Sequence, residues 1–81
     1  MIADGRVINM EKEYFCFNDN FRVIVKKGSF KGASLYWKDG TTYHYRISII
    51  LDNNQELECG YESSTDRATD YARFIEWLNS N

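Results

Sequence analysis

Between Glu13 and Tyr61 apolar side chains tend to fall at every second position, and after Ser63 they fall at every third or fourth. A period of two marks a half-buried strand, and a period near 3.6 marks an amphipathic helix. The run EYFCF, residues 13–17, is rich in β-formers. Asn18-Asp19-Asn20 then reads as a turn, because short polar side chains bond their own main chain and tolerate left-handed backbone. FRVIVKK, residues 21–27, sets Phe21, Val23 and Val25 against Arg22, Ile24 and Lys26. A loop, GSFKG, leads into residues 33–38, where Ala33, Leu35 and Trp37 oppose Ser34, Tyr36 and Lys38. Asp39-Gly40 signals a tight hairpin, since glycine supplies the positive φ that such a turn requires. Over residues 41–51, Tyr43, Tyr45, Ile47, Ile49 and Leu51 share one face, and His44, Arg46 and Ser48 share the other. After the turn Asp52-Asn53-Asn54, residues 55–61 place Leu57, Cys59 and Tyr61 inward and Glu56 and Glu58 outward.

The pattern changes at Ser63-Ser64-Thr65-Asp66, which has the form of a capping box with Ser63 as N-cap and Asp66 at the third helical position. Asp66 also suits the positive end of the helix dipole. Ala68, Tyr71, Ala72, Ile75 and Leu78 form the expected apolar stripe of a helix over 64–79, with Phe74 at its border. These elements predict one α+β domain spanning residues 1–81. It has two layers, a five-stranded antiparallel meander packed by one C-terminal helix. A sixth strand is added if residues 6–9 form one.

Eighty-one residues fit one domain with a thin core. Six Tyr, five Phe and two Trp supply the large rings through which so short a chain buries enough apolar area. A net charge of −2 excludes a generally basic nucleic-acid coat. The charge is nevertheless segregated. Arg22, Lys26, Lys27, Lys31 and Lys38 form a block without acids, and Asp52, Glu56, Glu58, Glu62 and Asp66 form a block without bases. Neighbouring strands are expected to join the two blocks as cross-strand pairs.

Neither Cys16 nor Cys59 lies in a Cys-x-x-Cys pair, and the single histidine, His44, has no metal-type spacing to them. A structural zinc site normally needs four ligands, so no metal and no other cofactor is expected. Both cysteines fall in predicted strands and read as small buried apolar residues, with a bridge between them open only in an oxidising compartment. The start, MIADGRVINM, lacks the pattern of a secretory signal, and no segment approaches the ~20 apolar residues of a membrane span. The expectation is a soluble cytoplasmic protein.

Catalysis requires a base held against a nucleophile or a second titratable group. His44 and Ser48 share a strand face, an arrangement that arises readily by chance on any solvated sheet, so the chain is expected not to be an enzyme. Gly28 to Ala33 lacks the Gly-Lys-Ser/Thr ending of a phosphate-cradling P-loop.

Two binding readings remain. The first is a protein–protein interaction module, a stand-alone regulator or inhibitor whose partner is another protein or a second copy of itself. Ile24, Tyr36 and Ile50 fall on the sheet face that is otherwise polar, and Phe15 and Phe17 are candidates to join them. One helix cannot cover two apolar faces, and the uncovered remainder would mark a contact surface. Trp77 points roughly 140° from the centre of the helix stripe at 100° per residue, which makes it an exposed anchor with Arg73 beside it. The second, weaker reading is a phosphate, phosphoinositide or nucleic-acid ligand held by Lys26, Lys27, Lys31 and Lys38, with Trp37 as a stacking ring. Against it, lysines on a loop also serve simply to discourage edge-to-edge sheet pairing.

The segments KKGSFKG and LYWKDG, and a closing helix carrying Phe74-Ile75-Glu76-Trp77-Leu78, resemble parts of a pleckstrin-homology domain. The resemblance implies a truncated pleckstrin-homology-like fold or small barrel ending in a helix. It also implies an adaptor role, binding a headgroup or a peptide. Seven strands precede the helix in that fold, whereas five are placed here, with residues 6–9 the only source of a sixth.

Overall fold

The computed structural model describes residues 13–80. In chain order these form β1 (Tyr14–Cys16), β2 (Ile24–Lys26), β3 (Phe30–Trp37), β4 (Tyr45–Leu51), β5 (Glu56–Tyr61) and the helix α1 (Ser64–Asn79). The architecture is α+β, with five antiparallel strands followed by one C-terminal helix. The expected sixth strand at residues 6–9 lies outside the described residues.

The strands do not form one meander. β1 pairs only with β2, and β3, β4 and β5 make a separate sheet in that order. The break comes at Gly28, whose φ of 84° turns the chain while Ser29 N–H bonds back to the Lys26 carbonyl at 3.1 Å. The Ser29 carbonyl then accepts from Asp52 N–H at 3.0 Å, which carries the chain onto β4 instead of β2. β2 is shorter than its apolar alternation suggests because the Asp19 carboxylate gathers the N–H groups of Phe21 and Val23 at 3.1 and 3.0 Å. Arg22 between them is held in the left-handed region at φ 58°.

One core joins the hairpin, the sheet and the helix. Phe15, Phe17 and Val25 meet Ile47, Ile49, Cys59 and Tyr61, with Phe74 and Trp77 completing the cluster. Phe74 lies at its centre, with ring centroids 5.0 Å from Phe17, 5.5 Å from Phe30 and 5.6 Å from Phe15. Phe15 and Phe17 are therefore core residues and not part of an outer patch.

The helix span and its cap match the sequence pattern, with Ser63 Oγ accepting Asp66 N–H at 3.1 Å. Its buried face does not. Asp70, Phe74 and Trp77 face inward, whereas Ala68, Ala72 and Ile75 face out. Two large rings and one carboxylate with inward partners outweigh two methyl groups and an isoleucine. The exposed-anchor position expected for Trp77 is corrected accordingly: its ring packs against Phe15 and Phe30, and Lys27 Nζ sits 5.3 Å above it. Lys27 also donates to the Trp77 carbonyl at 3.1 Å and the Ser80 carbonyl at 2.6 Å, placing a cation at the negative end of the helix.

Candidate functional site

β4 is the central strand of its sheet, so β3 and β5 are both edges. Residue pairs in an antiparallel ladder alternate between hydrogen-bonded and non-bonded. The Lys38 N–H to His44 carbonyl bond (2.9 Å) sets the alternation on the β3 side, and the Leu51 N–H to Gln55 carbonyl bond (2.8 Å) sets a consistent one on the β5 side. With the register Tyr36↔Arg46 and Ser34↔Ser48, the main chain of Tyr36 and Ser34 points into the sheet. The N–H and C=O groups of Ala33, Leu35 and Trp37 point away from it.

The two edges are treated differently. On β5, Gly60 N–H donates to Asp19 Oδ2 at 3.1 Å and the Gly60 carbonyl accepts from Asn20 N–H at 2.9 Å. That edge is closed where the loop crosses it. On β3, no described residue bonds the outward groups of Ala33, Leu35 or Trp37. The register Leu35↔Ile47↔Cys59 places Leu35 on the helix-bearing face. Ile47 and Cys59 are fully buried there, yet Leu35 is 43% and Trp37 56% exposed, because on β3 the cover reaches only the end at Phe30 and Ala33. Trp37 is stacked on His44 at 4.3 Å and edge-on to Tyr45 at 5.1 Å. Arg67 of α1 ties this end of the sheet down by donating to the carbonyls of Tyr36 (3.0 Å) and Arg46 (3.4 Å).

The other face of the sheet is closed by polar pairs more than by apolar surface. Arg46, 5% exposed, pairs with Glu58 at 3.3 Å, donates through Nε to the Tyr43 carbonyl at 2.6 Å and lies under the Phe21 ring. Ser48 donates to Glu56. Tyr36 and Ile50 are half-buried among these groups. The continuous apolar patch expected from Ile24, Tyr36 and Ile50 does not form: Ile24, 57% exposed, belongs to the other sheet, on the outer face of its hairpin. Arg73 is bound to Asp70, with its guanidinium 4.9 Å from the Phe15 ring.

Nor do the lysines converge. Lys27 caps α1 and Lys31 bonds Asn54 Oδ1. Lys26 lies on the hairpin and Lys38 just beyond the far end of β3, both exposed. Trp37, the candidate stacking ring of that reading, lies at this far end too, against His44. Among the described residues the basic and acidic blocks form no ion pair with each other. The two ion pairs are Arg46–Glu58 and Arg73–Asp70. His44 turns its Nδ1 to the Lys38 carbonyl, 2.9 Å away, while Ser48 serves Glu56, so no bond joins them as a nucleophile and base.

Asp70 is the buried charge that the sequence pattern hides. At 3% exposure it accepts from Asn18 N–H at 2.7 Å, from the Tyr61 hydroxyl and from Arg73. It borders an open groove of about 530 Å³ lined by Cys16, Asn18, Asp66, Thr69 and Arg73, but all its work is internal. Burial first, then the Asp70 hydrogen bond, pushes the Tyr61 hydroxyl far above its ordinary range. Burial, then the charges of Asp19 and Asp70, does the same to the Cys59 thiol, an unreactive condition. Cys59 is buried as expected, whereas Cys16, expected to be buried too, is exposed on the outer face of its short hairpin, and neither is bridged. No cluster among the described residues has the composition to hold a metal ion, and no helix among them is long and apolar enough to cross a membrane. Comparison of the chain with protein-family models, curated proteins and solved structures gives no match.

Proposed function

We propose that this chain is a non-catalytic protein-interaction module that receives an extended segment of a partner along the free edge of β3. The observation that carries this reading is the contrast between the edges. β5 is sealed at Gly60 by Asp19 and Asn20, and its other outward residues, Glu56 and Glu58, carry carboxylates that discourage edge pairing, whereas the eight-residue β3 has outward groups at Ala33, Leu35 and Trp37 that no described residue meets and that uncharged side chains flank. An added strand gains affinity from main-chain hydrogen bonds and specificity from side chains at alternate positions. Leu35 and Trp37 supply an apolar ledge on one face, and Tyr36 supplies a ring on the other. Of the two ligand kinds that the pleckstrin-homology likeness implies, headgroup and peptide, the peptide is the one this edge suits. A regulator or inhibitor would act by occupying the partner's exposed strand.

Leu35→Pro tests the reading. Proline is tolerated on an edge strand where its missing N–H faces outward, so the ladder to β4 is kept while one docking donor is lost. Wild-type and Leu35→Pro chains, matched by circular dichroism, are immobilised and exposed to native lysate. A polypeptide retained by the wild type and lost by the variant is the expected result. Identical retention by both refutes strand addition at β3.

A further inference from the structure

We infer that the occupant of the β3 edge is the β3 edge of a second copy of this chain, paired antiparallel about Leu35. The inference rests on the strand-addition reading and deepens it by naming the partner. A two-fold axis perpendicular to the sheet makes the contact isologous, with each residue meeting its counterpart reciprocally. Hydrogen bonds across the new seam require outward-pointing residues opposite outward-pointing residues, here Ala33, Leu35 and Trp37.

One register satisfies side chains as well as backbone. Centred on Leu35, it sets Leu35 against Leu35 of the second copy and Ala33 against Trp37 of the second copy on the helix-bearing face. On the opposite face Ser34 meets Tyr36 of the second copy. Gly32, where an added Cβ would meet nothing within 4 Å, leaves room for Lys38 of the second copy. On either side of the central leucine pair, small side chains oppose large ones. Just beyond each end of the paired stretch Lys31, at the irregularity of β3, comes beside Asp39 of the second copy, so the contact carries two opposite-charge pairs by symmetry. Lys31 has N–H groups to spare beyond its bond to Asn54, and Asp39 commits only Oδ1, to Gly40 N–H at 2.9 Å. Centring the axis on Ser34 or Tyr36 separates Lys31 from Asp39 and loses both pairs. The product is a continuous six-stranded sheet with both helices on one side and the two Leu35–Trp37 ledges merged between them.

Sedimentation equilibrium on the full chain over a range of concentration tests this. The wild type is expected to rise from the monomer mass toward twice that value. Leu35→Pro, folded by circular dichroism, is expected to keep the monomer mass at every concentration. Lys31→Asp turns two attractions into repulsions and weakens association about tenfold. Lys31→Asp/Asp39→Lys restores it. A wild type that stays at the monomer mass overturns the inference, as does a dimer that both single variants leave intact. Where Leu35→Pro loses the fold, the charge-reversal pair decides alone. A monomeric wild type that still retains a lysate polypeptide through Leu35 leaves strand addition standing with another partner. A monomeric wild type without such retention removes both.

Discussion

Replacing Asp70 by alanine tests whether the buried carboxylate is a structural hub. It holds the turn after β1 through Asn18 N–H, β5 through the Tyr61 hydroxyl and its own helix through Arg73. In Asp70→Ala the Tyr61 hydroxyl, on a residue 2% exposed, loses its acceptor, and an orphaned buried donor costs about 1–3 kcal/mol. Asn18 lies near water, so its N–H adds about 1 kcal/mol. Arg73, with a side chain 51% exposed, swings into solvent, and its pairing is worth about 0–1 kcal/mol. The total is about 3 kcal/mol. A domain of this size has about 4–12 kcal/mol to lose, and each kcal/mol moves its Tm by about 4–8 °C. Thermal and urea melts should therefore show Asp70→Ala folded but about 12–24 °C less stable. Tyr61→Phe removes a single donor and should cost about 1 kcal/mol. In the double variant no orphaned hydroxyl remains, so its cost should fall short of the sum of the singles by about 1 kcal/mol or more. A loss below about 1 kcal/mol for Asp70→Ala, or strict additivity with Tyr61→Phe, refutes the hub.

Two further outcomes follow from the core. A Cβ at Gly60 would fall 2.6 Å from the Phe21 ring and 3.1 Å from Tyr43 Cβ, so Gly60→Ala should displace Phe21 from Arg46 and cost about 1–2 kcal/mol in urea titrations. The same substitution in a Phe21→Ala background should cost clearly less, and an unchanged cost would show that the contact is unimportant. The second concerns alkaline pH. Folding raises the Cys59 thiol above 9.0 and the Tyr61 hydroxyl above 10.0, so their neutral forms are favoured in the folded chain. Their stabilisation is complete below those ordinary values and declines as pH climbs past them, by up to about 1.4 kcal/mol per pH unit for each group. The urea midpoint should drop progressively from about pH 9 upward and the Tyr61 share should vanish in Tyr61→Phe, whereas a midpoint unchanged to about pH 11 would contradict the burial argument.

The strands were legible as a set because alternation is a local property, and α1 was legible because Ser63 and Asp66 mark its start within four residues. Three of the four neighbour pairings follow chain order as the short turns imply, but the break between β2 and β3 was not legible. The separation of β2 from β3 depends on Gly28 adopting positive φ and on Asp52 reaching Ser29, and neither is written in the alternation. The helix face was misread for one identifiable reason. Asp70 counts as polar in any periodicity, yet three partners hold it inside, which rotates the stripe toward Phe74 and Trp77 and turns Ile75 out. A carboxylate followed at helical spacing by two large rings was the available signal. The site was half-legible. Tyr36 stood out as an apolar residue on the otherwise polar face and Trp37 as a candidate stacking ring, but Leu35 read as an ordinary inward residue, and its exposure follows from the helix covering β3 only at its Phe30 end, which only the three-dimensional arrangement reveals.

The contrast between the two edges also bears on the register. An exposed edge invites uncontrolled pairing, and proteins close it with bulges, charges or covering loops. This chain uses a covering loop on β5, where Asp19 and Asn20 occupy Gly60. On β3 the ladder is irregular only between Phe30 and Gly32, and the exposed Lys31 sits at that irregularity. A bulge bends the strand and stops regular pairing, so it limits an incoming strand at one end and leaves the stretch from Gly32 to Lys38 free. At the other end the chain turns away at Asp39-Gly40, where Gly40 has φ 75°. A strand lying between those two stops is centred on Leu35. The device that guards the edge against promiscuous pairing thus selects, on this reading, the one register in which Lys31 and Asp39 meet.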